Sequence, residues 1–154
     1  MIALIQRVSW ARVEVDGIEI SAIDRGLLAL IGIRPDDDRD SALRLLDRLM
    51  IYRVFPDEAD RMNRSLTDIA GGLLLVPQFT LAADTRSGTR PGFSTAAAPS
   101  VAEPLFRELV EAARLQHSGV VAAGRFGADM KVSLLNDGPV TFWLESQTGA
   151  ARSP

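Results

Sequence analysis

IALIQRVSWARVEVDGIEI, residues 2–20, commits the chain to strands. Ile2 and Leu4, then Val13 and Val15, alternate with other residues, the period of an extended chain with one buried face. Asp16-Gly17 interrupts the run with residues that tolerate the positive φ of a tight hairpin turn. The stretch therefore predicts two antiparallel strands. The next apolar segment, Gly26 to Ile33, shows no alternation and reads as a strand covered on both faces.

Further along, Asp36-Asp37-Asp38 begins a helix, with acids where the helix dipole is positive. Ala42, Leu45, Leu46, Leu49 and Arg53 mark one face of it, and Leu43 and Met50 widen the apolar stripe. Phe55 to Ile69 reads as an irregular connection. Leu73 to Val76 is another buried strand, ending abruptly at Pro77-Gln78-Phe79-Thr80. From Ala82 to Pro99 the chain is rich in small polar residues without period, and loops of that length are functional or disordered. Ser100 with Glu103 resembles a capping box opening a second helix, whose apolar face is Leu105, Phe106, Leu109, Val110 and Ala113; Pro104 offers a second starting point. Val120–Phe126, Met130–Leu135 and Val140–Leu144 are strand candidates, with Asn136-Asp137-Gly138-Pro139 as the turn between the last two. Ser146 to Pro154 reads as a loose tail. Paired strands with two separated helices predict a single α+β domain with mainly antiparallel sheet.

Composition narrows the chemistry. A chain of 154 residues buries about 70% of its unfolded surface without metal or disulfide. There are no cysteines, which removes disulfides, thiol catalysis, zinc–thiolate clusters and iron–sulfur centres. No basic-then-apolar leader and no membrane-length apolar run is present, so the expected compartment is the cytoplasm. With a net charge of −3, any nucleic-acid contact is expected to be local. The single histidine, His117, follows the second helix and is expected to face its C-terminus. A Ser-His-Asp triad or a multi-histidine metal site would rest on it alone. An enzyme built from this chain works with backbone groups, amides, hydroxyls or its substrate's own atoms.

Two places combine polar side chains with special backbone. At Pro77-Gln78-Phe79-Thr80 the backbone N–H groups of Phe79 and Thr80 stand at a strand end, where such donors can hold a developing oxyanion. Gln78 supplies donors and an acceptor. Thr80 supplies a hydroxyl that acts as nucleophile or as hydrogen-bond partner. The second place is Asn136-Asp137-Gly138-Pro139-Val140-Thr141, either a plain turn or a stiff tip presenting backbone carbonyls, with a Gly-Pro bond that is open to the cis form.

Together these strings reach a family. VPQFTLAADTRSGTRPGFS resembles the SQFT segment of the D-aminoacyl-tRNA deacylases, and LLNDGPVTFWLE resembles their NxGPxT motif. The likeness also takes in IALIQRV, the DDD before the first helix, RMN at 61–63 and GRFGADMKVSL, in order from Met1 to about Glu145. It implies a deacylase domain over residues 1–145 with a barrel-like sheet, and a flexible tail over 146–154. The implied activity is hydrolysis of the ester joining a D-amino acid to the terminal adenosine of tRNA by a homodimer without cofactor or metal. Extension to glycyl-tRNA is part of that expectation.

The resemblance also implies roles. Gln78, Phe79 and Thr80 are the expected catalytic residues, with the Phe79 N–H on the oxyanion. Gly138-Pro139 is expected to be cis and to reach into the partner's site, binding the α-amino group and colliding with an L side chain. Arg7 is expected to orient that dipeptide, and Met130 and Phe79 to line the adenosine pocket. Arg86, Arg90 and Lys131 are candidate phosphate contacts. The family's serine is Pro77 here, so no role passes to that hydroxyl. Two further readings are a non-catalytic module binding tRNA ends and an editing relative for glycine or a small L-amino acid; a metal-dependent hydrolase stands behind both.

Overall fold

A computed structural model describes residues 1–146 of the chain. Its spine is β1 (Ile2–Val15), which turns through Asp16 and Gly17, both at positive φ, into β2 (Ile18–Ile23). β3 (Gly26–Gly32) pairs with the first half of β1, β2 with the second half, and both pairings are antiparallel. The hairpin and the third strand thus form as the sequence predicts. β3 then pairs in parallel with β6 (Gly72–Pro77), and β6 in parallel with β7 (Val121–Ala123), a shorter strand than the predicted Val120–Phe126. The result is a nearly closed, barrel-like α+β sheet in which antiparallel pairings outnumber parallel ones.

The parallel pairs explain the unbroken apolar runs. Leu27, Ala29 and Ile31 of β3, with Leu73 and Leu75 of β6, face the main core beneath the helices. Leu28, Leu74 and Val76 face the other way, into a second cluster with Val8, Ala11 and Val13. A strand covered on both sides needs no polar alternation. At their starts β3 and β6 approach so closely that a Cβ on Gly26 would lie 1.9 Å from the Gly72 carbonyl oxygen.

Helix α1 spans Arg39–Ile51. It begins three residues after Asp36 because Asp38 is its N-cap, accepting from Ser41 N at 2.7 Å while its own N–H donates to Ser41 Oγ at 2.8 Å. Asp37 has turned away to the Met1 ammonium and to the Arg34 N–H. The predicted irregular connection from Phe55 to Ile69 contains a small hairpin, β4 (Phe55–Pro56) with β5 (Met62–Arg64), and a capped helix α2 (Leu66–Ile69). The Asp57 carboxylate organises the hairpin's loop by accepting from Ala59 N, Arg61 N and Asn63 Nδ2.

The long helix α3 spans Pro99–Gln116. The Ser100–Glu103 capping box does not form: Ala98 is the N-cap, and Pro99 starts the helix with its φ already suited to the first turn. Pro104 lies inside the helix, not at its start. Burial of Ala102, Leu105, Phe106, Leu109, Val110 and Ala113 holds the helix together across it.

The largest departure from the sequence reading is β8, one continuous strand over Lys131–Glu145 where two strands and a turn were expected. Both halves pair antiparallel with β1: Val8 faces Asn136, and Gln6 faces Thr141. Asn-Asp-Gly-Pro is therefore an outward bulge in a strand that keeps its direction, not a hairpin tip. Ser146 remains attached, its N–H donating to the Met1 carbonyl at 2.9 Å and its own carbonyl accepting from the Met1 ammonium at 3.0 Å. The rest of the expected tail lies outside the described residues. Among the described residues, no helix is long and apolar enough to cross a membrane.

Candidate active site

β6 ends at Pro77, opposite Ile31 of β3. The Gln78 N–H still reaches the Ile31 carbonyl, at 2.7 Å, and the chain then winds into a single 3-10 turn, Phe79–Ala82. Gly32 lets that turn sit against the end of β3, because a Cβ there would meet the Leu81 Cβ at 2.9 Å. The first backbone amides of a helical turn have no acceptor inside it. Leu81 N–H is the first to bond back, to the Gln78 carbonyl at 3.2 Å; Phe79 and Thr80 precede it, and both are exposed. Gln78 Nε2 donates to Thr80 Oγ1 at 2.5 Å. The hydroxyl oxygen thus faces a donor, and an amide N–H is not a base that could take its proton.

Pro77 is accommodated by the same geometry. Along β6, Leu73 and Leu75 bond towards β7, whereas Gly72 and Gln78 bond towards β3. Position 77 therefore points its nitrogen to the β7 side, where pairing has already ended at Leu75 with Ala123. The missing N–H costs the ladder nothing.

Two apolar features flank the turn. Gly124, its N–H on the Leu75 carbonyl, allows Met130 and Pro77 to close in: a Cβ there would lie 2.8 Å from Met130 Sδ and 3.2 Å from Pro77 Cδ. Met130 is thus brought beside the strand end. On the other side, Phe79 meets Phe93, with ring centroids 5.2 Å apart and planes inclined at 54°. The loop carrying Phe93 is folded back by paired backbone bonds between Asp84 and Gly92, at 2.8 and 2.9 Å. Thr95 Oγ1 to the Ala82 carbonyl and Ala97 N–H to the Ile33 carbonyl complete the clasp.

Gly138-Pro139 forms the outward bulge of β8, and its peptide is cis. Gly138 has φ 146, and a Cβ there would run into the Val140 side chain at 2.5 Å, so the position requires glycine. Asn136 spans the bulge, with Oδ1 accepting from Val140 N at 2.9 Å and Nδ2 donating to Thr141 Oγ1 at 2.9 Å. Arg7 holds it from β1: Nε donates to the Asp137 carbonyl at 2.9 Å and a terminal nitrogen to the Val54 carbonyl at 2.7 Å. Its side chain is 13% exposed, and Asp137 Oδ2 lies 3.4 Å from Nε.

The strand register keeps the two motifs apart within one chain. Pro77 is level with Ile31 and, across β3, with Ala3, whereas the bulge stands opposite Gln6 to Val8. That is roughly 10–16 Å along the strands and three inter-strand steps of about 4.8 Å across them.

The candidate phosphate contacts divide. Arg86 is held by Asp84, whose carboxyl its hydrogen bonds keep well below the usual carboxylate range, and Lys131 is held by Asp129 at 3.0 Å. Arg90 is exposed. His117 caps α3, is buried, and has Nε2 2.6 Å from the Gly71 carbonyl, at the far end of β6 from Gln78. Among the described residues, no three His, Asp or Glu side chains gather as a metal site would require. Two contributors escaped the sequence reading. Asn136 lay inside a quoted motif without a role, and Phe93 sat in a loop without period.

The model of the family described as D-Tyr-tRNA(Tyr) deacylase matches residues 4–145. The chain belongs to that family. It is 64% identical to the D-aminoacyl-tRNA deacylase of Alkalilimnicola ehrlichii, over 98% of this chain and all of that one. The D-aminoacyl-tRNA deacylase of Ectopseudomonas mendocina is 66% identical over 92% of this chain and 97% of its own. Among solved structures, the c-Myc DNA Unwinding Element Binding Protein superposes with a TM-score of 0.92 at 37% identity, covering 96% of this chain and 100% of that one. A probable eukaryotic D-amino acid tRNA deacylase superposes with a TM-score of 0.81 at 15% identity, over 94% of this chain and 98% of its own; it shares the deacylase-family fold.

Proposed function

We propose that this chain hydrolyses D-aminoacyl-tRNA to free D-amino acid and tRNA, with residues 1–145 carrying the activity. The observation that carries this reading is the end-to-end likeness to deacylases, with both the strand-end turn and the Gly-Pro bulge intact. An aminoacyl ester is already activated, so the protein needs mainly to position it. Water attacks the ester carbonyl with help from the neighbouring ribose 2′-hydroxyl, and the 3′-oxygen leaves. The Phe79 N–H, with that of Thr80, stabilises the oxyanion. Gln78 fixes Thr80, whose hydroxyl helps position the reacting groups and is not the nucleophile.

Chirality is selected by backbone. The Gly138 and Pro139 carbonyls of a second copy bind the substrate's α-amino group, and an L side chain collides with that rigid bulge. The separation of the two motifs along one chain supports a homodimer in which each subunit completes its partner's site. Arg7 sets the bulge through the Asp137 carbonyl. Met130 and Phe79 border the terminal adenosine. Arg90 is the strongest of the three candidate phosphate contacts, because Arg86 and Lys131 each have an acid two residues away. A cytoplasmic enzyme that grips only the acceptor end of tRNA accords with the net charge of −3.

The test is hydrolysis of D-tyrosyl-tRNA beside L-tyrosyl-tRNA and glycyl-tRNA, with and without chelator. Chelator-resistant loss of the D ester, with the L ester spared, is the expected result. Loss of no ester would leave the tRNA-end-binding module as the reading, and loss of the L ester would turn chiral selection away.

A further inference from the structure

The Met1 ammonium is ion-paired with Asp37 Oδ1, and neither partner reaches water: their side chains are 0% and 2% exposed. A charge pair taken out of water is stable only while each charge keeps its partner and its other hydrogen-bonding sites are filled. Here both conditions are met. The ammonium also donates to the Ser146 carbonyl at 3.0 Å, and Asp37 Oδ2 accepts from the Arg34 N–H at 2.7 Å. Ser146 N–H returns to the Met1 carbonyl at 2.9 Å, so the end of β8 forms one wall of the pocket. The Met1 side chain is fixed as well, as a member of the main core cluster. None of the groups assigned to the deacylase site uses this pair, yet it lies at the same end of the barrel: Ala3, two residues on, is level with Pro77 across β3.

We infer that the Met1 nitrogen occupies a closed site built for a free α-ammonium, and that an acyl group on it, formyl or acetyl, is incompatible with that site. Acylation removes the charge. It also leaves one N–H where an ammonium has three donors, and it adds a carbonyl where Met1 has no exposed surface. Asp37 then becomes a buried carboxylate without its counter-ion, the arrangement that costs most in a protein interior. Because Ser146 supplies the last wall, an acyl group has to leave before the end of β8 docks against Ile2. The inference concerns the terminus and no substrate, so it stands apart from the deacylase reading.

The test compares full-length protein made by cell-free translation on a formylmethionyl initiator, with deformylase active or inhibited, the intact mass distinguishing the two products. The formylated protein is expected to melt about 10 °C below the free one, the loss that breaking a buried ion pair gives in a chain of this size. Asp37→Asn separates the ion pair from simple crowding by the sign of its effect. In the free protein it strands the ammonium and is expected to lower Tm by about 5 °C or more. In the formylated protein it removes the stranded carboxylate, and Tm is expected to rise or hold. Glu19→Gln, which breaks the exposed pair with Arg12, is expected to move Tm by less than about 2 °C in either form. Free and formylated proteins that melt together would overturn the proposal, and so would an Asp37→Asn change that lowers Tm equally in both. If the formylated chain does not fold at all, Asp37→Asn is expected to rescue it, and failure of that rescue overturns the proposal too. Melting is read without any ester, so a protein that cuts no D-aminoacyl-tRNA contradicts the activity and not the Met1 site.

Discussion

Arg7 on β1 and Asp137 on β8 are joined by a hydrogen bond from the guanidinium Nε to the backbone carbonyl, 2.9 Å long. The same guanidinium holds the Val54 carbonyl, so one planar group ties the bulge to the segment after α1. A lysine presents a point charge that cannot serve two fixed carbonyls as a fork does. Arg7→Lys is expected to lower kcat/KM for D-tyrosyl-tRNA about tenfold, the effect of one charged hydrogen bond. The ratio of D to L hydrolysis falls with it, because the bulge is no longer held. Parallel kinetics on the two esters check this.

Thr80 separates two mechanisms. Its oxygen accepts from Gln78 Nε2, so Thr80→Ala is expected to cost less than about fivefold in kcat, a lost hydrogen bond of ordinary strength. Loss of a true nucleophile costs on the order of a thousandfold or more, and single-turnover rates distinguish the two.

Pro77→Ser restores the family's usual residue at a position whose nitrogen points past the end of β7. The activity is expected to stay within about threefold of the parent, the range of a substitution that touches no critical partner. A gain or loss of a hundredfold in kcat/KM would falsify the claim that the ladder and the turn accept either residue.

Two glycines should respond very differently to alanine. At Gly26 the new methyl would lie 1.9 Å from backbone, with no flexible side chain to yield, and the expected loss is more than about 3 kcal/mol, beyond ordinary overpacking. At Gly17 nothing lies within 4 Å, so Gly17→Ala pays only for its left-handed φ, about 1 kcal/mol. Urea denaturation of both variants reads the difference.

Glu145 links stability to pH. The Trp143 indole N–H, 2.7 Å away, and then Arg34 hold its carboxyl below the ordinary value of 4.5. A carboxyl lowered on folding stabilises the protein above its unfolded pKa, and the contribution disappears as pH falls through the folded value. The Tm difference between wild type and Glu145→Gln is expected to be full at pH 6–7 and to shrink steadily below about pH 4.5. A difference that is flat with pH would refute it.

Much of this was legible in the sequence, for physical reasons that differ by element. Asp16-Gly17 and the apolar run of β3 were readable because turn chemistry and two-sided burial are written into single residues. β8 was misread because Asn-Asp-Gly-Pro carries the same local chemistry in a hairpin as in a bulge. The choice between them is made by β1, more than a hundred residues earlier, which offers partners on both sides of the bulge. The Ser100–Glu103 box was a sound local signal outcompeted by Pro99 and the buried face of α3. Gln78, Phe79 and Thr80 could be found as a motif, whereas Phe93 joins them only through the Asp84–Gly92 fold-back, which no period announces.

The pairing of Ile2 with Glu145 has a consequence for synthesis. β1 is made before β2 and β3, which soon occupy one of its edges, but the other edge waits for the last strand of the domain. At about 5–20 residues per second that wait lasts many seconds. An unpaired edge on an apolar strand is a template for a neighbouring chain on the same polysome. Until the β8 segment arrives, the nascent chain is open to edge-to-edge association with its own copies, and the pairing of β8 with β1 removes that template.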